Sequence, residues 1–364
     1  MKVFYCVRDL SQVHSCIYNM YLIRQVGYEV VPILGATTEE LNGILARNSI
    51  QTEYFSLSKK MSHWKYFLRL NRCFFKNMKE GLKTYRKGDL VIIGTADSAL
   101  FAYPLYIKKR FVICLLEMHE NQSKLQNFLR HVCNKADSVI CCEMNRARYA
   151  QFSWGLKQRP FVISNKPYGF SQVSEQISEH STHALSQING KRTILYQAWH
   201  IHQTDVISNL LRALALLNEE IVLVIMGIVD SCVDKSALSS IYPNIIWAGH
   251  IPAPKHLEVT RSIDIGVAMY SETSLNNMFC APNKTFEYTS FGKPVLCNDI
   301  PGLVETIGLN DAGTCVNWNS PQDIASGISL ILSNYDEYSK NAKSFYERED
   351  NVEKMRIILS SLSE

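Results

Sequence analysis

The chain has little of what marks several common classes of protein. Its 364 residues carry a net charge of only +4, too mild by itself to argue for nucleic acid, which needs a concentrated basic field. It lacks a CxxC pair and an HExxH motif, and no group of Cys and His has the spacing of a metal centre. The eleven cysteines, at 6, 16, 73, 114, 133, 141, 142, 232, 280, 297 and 315, fall largely in apolar runs, as small buried hydrophobes in a reducing compartment do. Long apolar stretches are missing too: the fullest, around Ile221 to Val229, is far short of the roughly 20 residues that span a bilayer. The opening run Val3 to Val7 is broken by Arg8 and Asp9, too soon for a signal peptide. Together these absences predict a cytosolic protein that binds no nucleic acid. Nothing repeats at a fixed period, which speaks against a solenoid. With 46% hydrophobic and 20% charged residues, the composition is that of a folded chain long enough for two domains, each with its own core.

What is present is alternation. Lys2 to Val7, Tyr28 to Leu34, Leu90 to Ile93, Arg110 to Leu116, Ser138 to Cys142 and Phe161 to Ser164 read as strands, with a helix to about Gln25 stopped by Gly27. A second set follows at Thr193 to Gln197, Ile221 to Met226, Ile245 to Ala248, Ile263 to Met269 and Pro294 to Cys297. From Pro321 to about Leu362 the chain is mainly helical. Two such sets fit an α/β protein of two doubly wound, Rossmann-like domains facing across a cleft. The apolar periodicity lapses from 169 to 191, which sets the expected organisation: domain 1–168, linker 169–191, domain 192–335 and terminal helices 336–364. After the first strand, Val7-Arg8-Asp9-Leu10-Ser11 has no glycine-rich turn, so no phosphate is expected on the first domain. Arg8, Asp9 and His14 should lie near the carboxyl ends of its strands, where contacts to a substrate and plain loop structure are both open readings.

Residues 59–87 are unusual in composition. Trp64, Leu68, Phe75, Met78 and Leu82 recur at helical spacing, and Lys65, Arg69, Arg72, Lys76, Lys79 and Lys83 follow one position behind. One reading is a core-packing helix with a basic solvated edge; the other is a helix resting on an anionic membrane surface.

The stretch Asn276 to Ile307, NNMFCAPNKTFEYTSFGKPVLCNDIPGLVETI, carries the most chemistry. Asn283 is suited to an N-cap and Lys284 to Phe291 to about two helical turns. Gly292 supplies a left-handed stop, Pro294 to Cys297 a buried strand, and Pro301 the first position of a second helix. A helix start after a polar loop can hold a phosphate. Glu287, one turn in, could accept hydrogen bonds from a sugar diol, the alternative being a solvated helix glutamate with Lys284 a surface lysine.

Pro282-Asn283-Lys284, Glu287-Tyr288, Gly292, Pro294-Val295, Gly302 and Glu305 together resemble the donor-site signature of retaining GT-B glycosyltransferases of glycosyltransferase family 4. Glu117-Met118-His119-Glu120, after the strand that ends at Leu116, resembles the family's Asp-x-His-Glu element, with Glu117 in the aspartate position. The resemblance implies the GT-B fold and a hexosyltransferase-type enzyme that moves a sugar from a nucleotide diphosphate sugar to a hydroxyl acceptor, with no protein nucleophile and no metal or other cofactor. It further implies that Glu287 holds the donor ribose and that Lys284, with Asn283 and the helix start, faces the diphosphate and stabilises its developing charge. His119 would position the transferred sugar, Glu120 and Arg8 would lie in the cleft, Gly249 where relatives pass the nucleobase, and the terminal helices 336–364 would return to the first domain.

Two departures stand out. Many members carry a glutamate where this chain has Phe279. They also have a glycine near Ala198 and a basic residue in the following loop, where this chain offers His200, His202 and Thr204. Both histidines are candidates for the diphosphate. A glycan or lipid-linked acceptor in polysaccharide or lipid-linked glycan biosynthesis is the expected setting. The alternatives are a GT-B scaffold or binding subunit without turnover, and a different enzyme on this fold, such as a nucleotide-sugar epimerase or a phosphorylase.

Overall fold

Short runs of Val, Ile, Leu and Cys without polar alternation suit strands buried on both faces, which is how parallel sheets are built. The computed structural model, which describes residues 1–12, 15–51, 62–119, 124–167, 178–202, 204–217 and 219–362, contains two such sheets. His14, Glu120 and residues 59–61 lie outside the described residues. The chain divides into two units, Met1–Ser164 with Asp350–Glu364, and Asn165–Glu349.

In the first unit, six parallel strands, β1 (Lys2–Asp9), β2 (Glu29–Ala36), β3 (Leu90–Ile93), β4 (Phe111–Leu115), β5 (Ser138–Cys141) and β6 (Phe161–Val162), lie in the order β2-β1-β3-β4-β5-β6. The chain steps outward from β1 to β2, then returns to β3 on the other side of β1. The order therefore reverses between β1 and β3. In the second unit, β7 (Arg192–Ile201), β8 (Ile221–Val229), β9 (Ile245–Gly249), β10 (Ile265–Ala268), β11 (Val295–Asn298) and β12 (Gly313–Val316) are again parallel, in the order β12-β11-β10-β7-β8-β9. Here the reversal falls between β7 and β10. Both units are doubly wound α/β folds, and such sheets place ligands beyond the carboxyl ends of their strands, at the reversal.

The observed elements differ from the sequence expectations in four places. Strand β7 does not stop at Gln197 but continues to Ile201, with a register shift against β8 between Gln197 and His200. Gly227 on β8 permits this, because a Cβ there would stand 2.0 Å from the carbonyl oxygen of Ala198. Asn283 is not an N-cap: Pro282 takes that position, and Asn283 is the first residue of the helix Asn283–Ser290, which has no side-chain cap.

The third difference is on the helix His63–Gly81: of the expected stripe only Met78 and, just past the helix, Leu82 are buried, and the helix packs through Leu70, Phe74 and Met78. Trp64, Leu68 and Phe75 are 69%, 50% and 41% exposed. The buried set is the ridge at i, i+4 and i+8, which packs on β2 and β1. Fourth, of the interval 169–191, the described part carries a helix, Glu179–Ile188, that turns Ser181, Ala184 and Ile188 inward within the second unit. Its start is tied down by Glu258, which accepts from the backbone N–H (2.9 Å) and hydroxyl (2.8 Å) of Ser178.

Of the terminal helices, Pro321–Ser333 and Tyr335–Arg348 belong to the second unit and Asn351–Ser361 to the first. Asn351 is buried and bonds both backbone groups of Ser164, accepting from its N–H (3.2 Å) and donating to its C=O (2.8 Å).

Candidate functional site

The reversal between β7 and β10 is where the second unit concentrates its buried polar side chains. The helix Asn283–Ser290 is held over it by Tyr288, whose ring lies against Gly266 of β10. A Cβ on Gly266 would stand 2.2 Å from that ring. The Tyr288 hydroxyl reaches the carbonyls of Leu195 (3.4 Å) and Val267 (3.3 Å), one on each strand flanking the reversal. At the far end Gly292 adopts the left-handed conformation expected of a stop (φ +64°), and Lys343 donates to the carbonyl of Ser290 (2.8 Å), a cation at the negative end of the helix. Pro301 opens the next helix, Pro301–Thr306. Gly302 in that helix lets it approach the 279–280 backbone, where a Cβ would meet Cys280 O at 2.5 Å.

So placed, Glu287 is only 7% exposed, which removes the solvated-glutamate reading. Its Oε2 accepts from Gln197 Nε2 (2.5 Å), and its Oε1 lies 3.3 Å from His256 Nε2. Gln197 is oriented in turn by the Thr260 hydroxyl, which donates to its Oε1 (3.3 Å). Burial alone would raise the Glu287 pKa. The His256 imidazole, the Gln197 amide and the Lys284 ammonium outweigh it and hold the carboxyl below its ordinary value, so it is ionised at neutral pH. His256 Nδ1 is buried with no partner among the described residues, and Nε2 faces the carboxylate, which as an anion can only accept.

Lys284, one turn before Glu287, donates from Nζ to the carbonyl of Gln197 (2.9 Å), at the point where β7 leaves register with β8. Its ammonium sits 5.0 Å from the centre of the Tyr270 ring. Burial lowers its pKa to about 8, against the opposing pull of Glu287. Tyr270 is fixed by Asn298 at the end of β11, which accepts from its N–H (3.1 Å) and donates to its C=O (2.9 Å). A buried carboxylate, an amide, an imidazole and a cation with a lowered pKa thus converge beside a helix start. Such a set can accept from hydroxyls and neutralise an anion.

The remaining candidates of this unit are spread around the same strand ends. Asn283 is exposed at the helix start. Gly249 ends β9 in a left-handed conformation (φ +70°) that a side chain would strain. His200, half-exposed, is bonded through Nδ1 to Asp230 (2.7 Å), and His202 is exposed. Trp199 between them is 70% exposed and meets the His250 ring edge-on at 4.9 Å.

In the first unit, Arg8 lies at the reversal between β1 and β3 and is fully engaged within the protein. Its backbone N–H donates to Ser98 Oγ (2.8 Å), its Nε to Asp97 (2.6 Å) and its terminal nitrogen to Asn71 (2.9 Å). The guanidinium lies over the rings of Phe101 (4.9 Å) and Phe67 (5.6 Å). Asp9 accepts from Tyr66 (3.0 Å) and Ser11 (2.6 Å). His119, four residues past the end of β4, is half-buried, and desolvation lowers its pKa against the pull of Glu117 and Asp97, which keeps the imidazole neutral at pH 7.

Sequence reasoning missed Gln197 as a site residue, and His256, Thr260, Tyr270 and Asn298 altogether. Gln197 carried a signal, a polar residue at the carboxyl end of a buried strand. His256 carried none, since PAPKHLEVT reads as a loop and a short helix.

Residues 180–348 match the family described as glycosyl transferases group 1. No curated protein matches the chain in sequence. Among solved structures, HepE of Anabaena, in complex with UDP and glucose, superposes with a TM-score of 0.71 at 14% identity, over 99% of this chain and 98% of that one. Sucrose-phosphate synthase of Thermosynechococcus elongatus gives 0.67 at 15% identity, over 99% and 97%. The trehalose-6-phosphate synthase OtsA gives 0.66 at 10%, over 100% and 99%. The fold is that of GT-B glycosyltransferases, two parallel-sheet Rossmann-like domains. The family match lies within the second unit, and the fold of the whole chain agrees with it.

Proposed function

We propose that the protein is a retaining glycosyltransferase of the hexosyltransferase type, moving a sugar from a nucleotide diphosphate sugar to a hydroxyl acceptor. The observation that carries this reading is the buried, ionised Glu287, held by Gln197 and His256 at the reversal of the second sheet. Each carboxylate oxygen has two acceptor sites, so both retain capacity for the two hydroxyls of a ribose. Lys284 and the start of its helix receive the diphosphate, and as the glycosidic bond to phosphate breaks the ammonium stabilises the charge that develops on the leaving group. Because that charge grows toward the transition state, the contact raises rate rather than only affinity. Neither a protein nucleophile nor a metal is needed. For His119 we propose the positioning of the transferred sugar, supported by its neutral, half-buried imidazole. HepE in complex with UDP and a trehalose-6-phosphate enzyme of E. coli bound with UDP-2-fluoro glucose make a uridine diphosphate donor the first to try.

The acceptor we propose is a glycan or lipid-linked glycan, met at an anionic membrane surface. Its support is the helix His63–Gly81, where exposed Trp64, Leu68 and Phe75 lie beside exposed Lys65, Arg69, Arg72 and Lys76. Among the described residues no helix is long and apolar enough to cross a membrane. A second reading, a binding subunit without turnover, draws on Phe279 and Ala198, which stand where the resembled family has a glutamate and a glycine.

The test is a thermal-shift and ligand-observed NMR screen of the purified chain against UDP, GDP, ADP, CMP and their sugars, with Glu287→Ala as control. One nucleotide diphosphate should bind selectively and lose its binding in the variant. A folded protein that binds none of them overturns the donor site, whereas binding without sugar transfer or donor hydrolysis favours the subunit reading.

A further inference from the structure

We propose that Cys297 and Cys315 form a dithiol site that a hydroperoxide oxidises to an intramolecular disulfide. The two residues are register partners on the adjacent parallel strands β11 and β12, so their side chains leave the same face of the sheet. Their sulfurs stand 3.3 Å apart. Neighbouring strands run about 4.8 Å from each other, inside the range of Cα separations that a disulfide spans. The bond can therefore close by small side-chain movements, without either strand leaving the ladder.

The pair is also asymmetric in the way such chemistry needs. Cys297 is fully buried, and burial pushes its thiol well up. Cys315 is half-buried, and its thiol is lowered, first by the hydrogen bond it shares with Cys297 and also by the backbone N–H of Gly308, against desolvation and the charge of Asp299. Glycine at 308 leaves room beside this sulfur, since a Cβ there would lie 3.1 Å from Cys315 Sγ. The more acidic and more accessible thiol is the one peroxide meets. The Cys315 thiolate attacks one peroxide oxygen, the O–O bond breaks, and the departing hydroxide takes up the thiol proton as water, leaving a sulfenic acid. Cys297 then attacks the sulfenic sulfur; the S–S bond forms as the S–O bond breaks, and its thiol proton leaves with the hydroxide as a second water. Two thiols lose two electrons and two protons, and one peroxide becomes two waters. Cys6, Cys16 and Cys114, by contrast, are buried and have thiols raised by desolvation, and the exposed Cys232 makes no thiol pair among the interactions described. The disulfide would form one residue from Asn298, whose side chain clasps Tyr270 beside Lys284, so the site borders the donor pocket.

The experiment treats the reduced full-length chain with hydrogen peroxide, reads intact mass before and after dithiothreitol, and, on a separate portion whose remaining thiols are blocked with iodoacetamide, maps peptides without reduction. The expected result is the loss of two hydrogens per chain, a cross-linked peptide joining 297 to 315, and return to the starting mass with dithiothreitol. Cys297→Ser should instead trap Cys315 with one or more added oxygens, and Cys315→Ser should abolish the loss of two hydrogens. Circular dichroism checks that both variants fold; if buried Cys297→Ser does not, the half-buried Cys315 variant and the wild-type map still decide. A wild-type chain that gains oxygens without losing hydrogens, a cross-link mapped to another pair, or a Cys315→Ser chain that still loses two hydrogens overturns the proposal.

Discussion

The second unit's chemistry rests on a few side chains whose roles can be separated by measurement. His256 touches Glu287 and nothing else polar among the described contacts of its ring, so we assign it the positioning of that carboxylate. A hydrogen bond to a charged group contributes about 1.5–3 kcal/mol. His256→Leu should therefore weaken binding of the nucleoside diphosphate by about tenfold or more, while leaving its 2′,3′-dideoxy analogue almost unaffected, because the role proposed for Glu287 is to accept from the ribose hydroxyls. His256→Gln, which keeps an N–H donor, should recover part of the loss. Calorimetric titration of both nucleotides checks this; equal losses for the two would mean that His256 only packs.

Lys284 gives a pH signature. Its pKa is lowered to about 8, so the cation is present below that value and is lost as pH rises through it. Diphosphate affinity should decline between pH 7 and 9 in the wild type and stay level in Lys284→Met, which is weaker throughout. A wild-type profile as flat as the variant's would remove Lys284 from the phosphate. Glu287 and Lys284 were legible in the sequence because they share one helix with fixed neighbours. Gln197, Thr260 and His256 were not, since β7 and the segment around 256–260 meet that helix only in the folded chain.

The helix His63–Gly81 shows how an element can be recognised and still be turned the wrong way. Its residues repeat at helical spacing, but the Trp64, Leu68 and Phe75 part of the expected core stripe is exposed, and Leu70, Phe74 and Met78 do the packing. Periodicity gives the angle between side chains and not which side meets the sheet. At about 100° per residue, Trp64, Phe75 and Leu68 fall within an arc of about 40°, and Lys65, Arg69, Arg72, Lys76 and Lys79 occupy the arc beside it. That order, core then exposed apolar then basic, suits a surface with anionic headgroups above hydrocarbon. The chain should bind vesicles containing phosphatidylglycerol more tightly than pure phosphatidylcholine. Replacing Lys65, Arg69, Arg72 and Lys76 by Glu should lower that binding at least about 100-fold, given about 1 kcal/mol per basic residue near such a surface. Cosedimentation measures it, with circular dichroism to confirm folding. No binding by the wild type would end the membrane proposal. The asparagine misread as a cap has a related cause: Asn283 has the right chemistry, but Pro282 before it already fixes the extended entry (φ −72°) that a cap position needs.

Across the whole molecule, the strands and the doubly wound class were readable from alternation, because buried parallel strands and their helices differ so strongly in pattern, whereas the order of strands within each sheet came only from the fold. The return of the chain's end to the first domain was expected from the family resemblance and not from pattern, since the helices after 321 look alike in sequence; Tyr335–Arg348 stays with the second unit, and of 336–364 only Asn351–Ser361 joins the first. What separates them is a side chain. Asn351 is buried and makes paired bonds to the N–H and C=O of Ser164, just beyond β6, and the helix it begins packs on Ser15–Gln25. Asn351→Ala removes both bonds, at a cost of about 1–3 kcal/mol in all, so thermal unfolding should move down by roughly 2–12 °C. The effect should be local. Hydrogen exchange should quicken at 161–164 and in the 15–25 helix, and stay unchanged at Asn283–Ser290, together with nucleotide affinity. Exchange that quickens equally in both units would show instead that the terminal helix stabilises the chain as one cooperative body, whereas no change at 161–164 would show that the Asn351 bonds contribute nothing to holding the end of the first sheet.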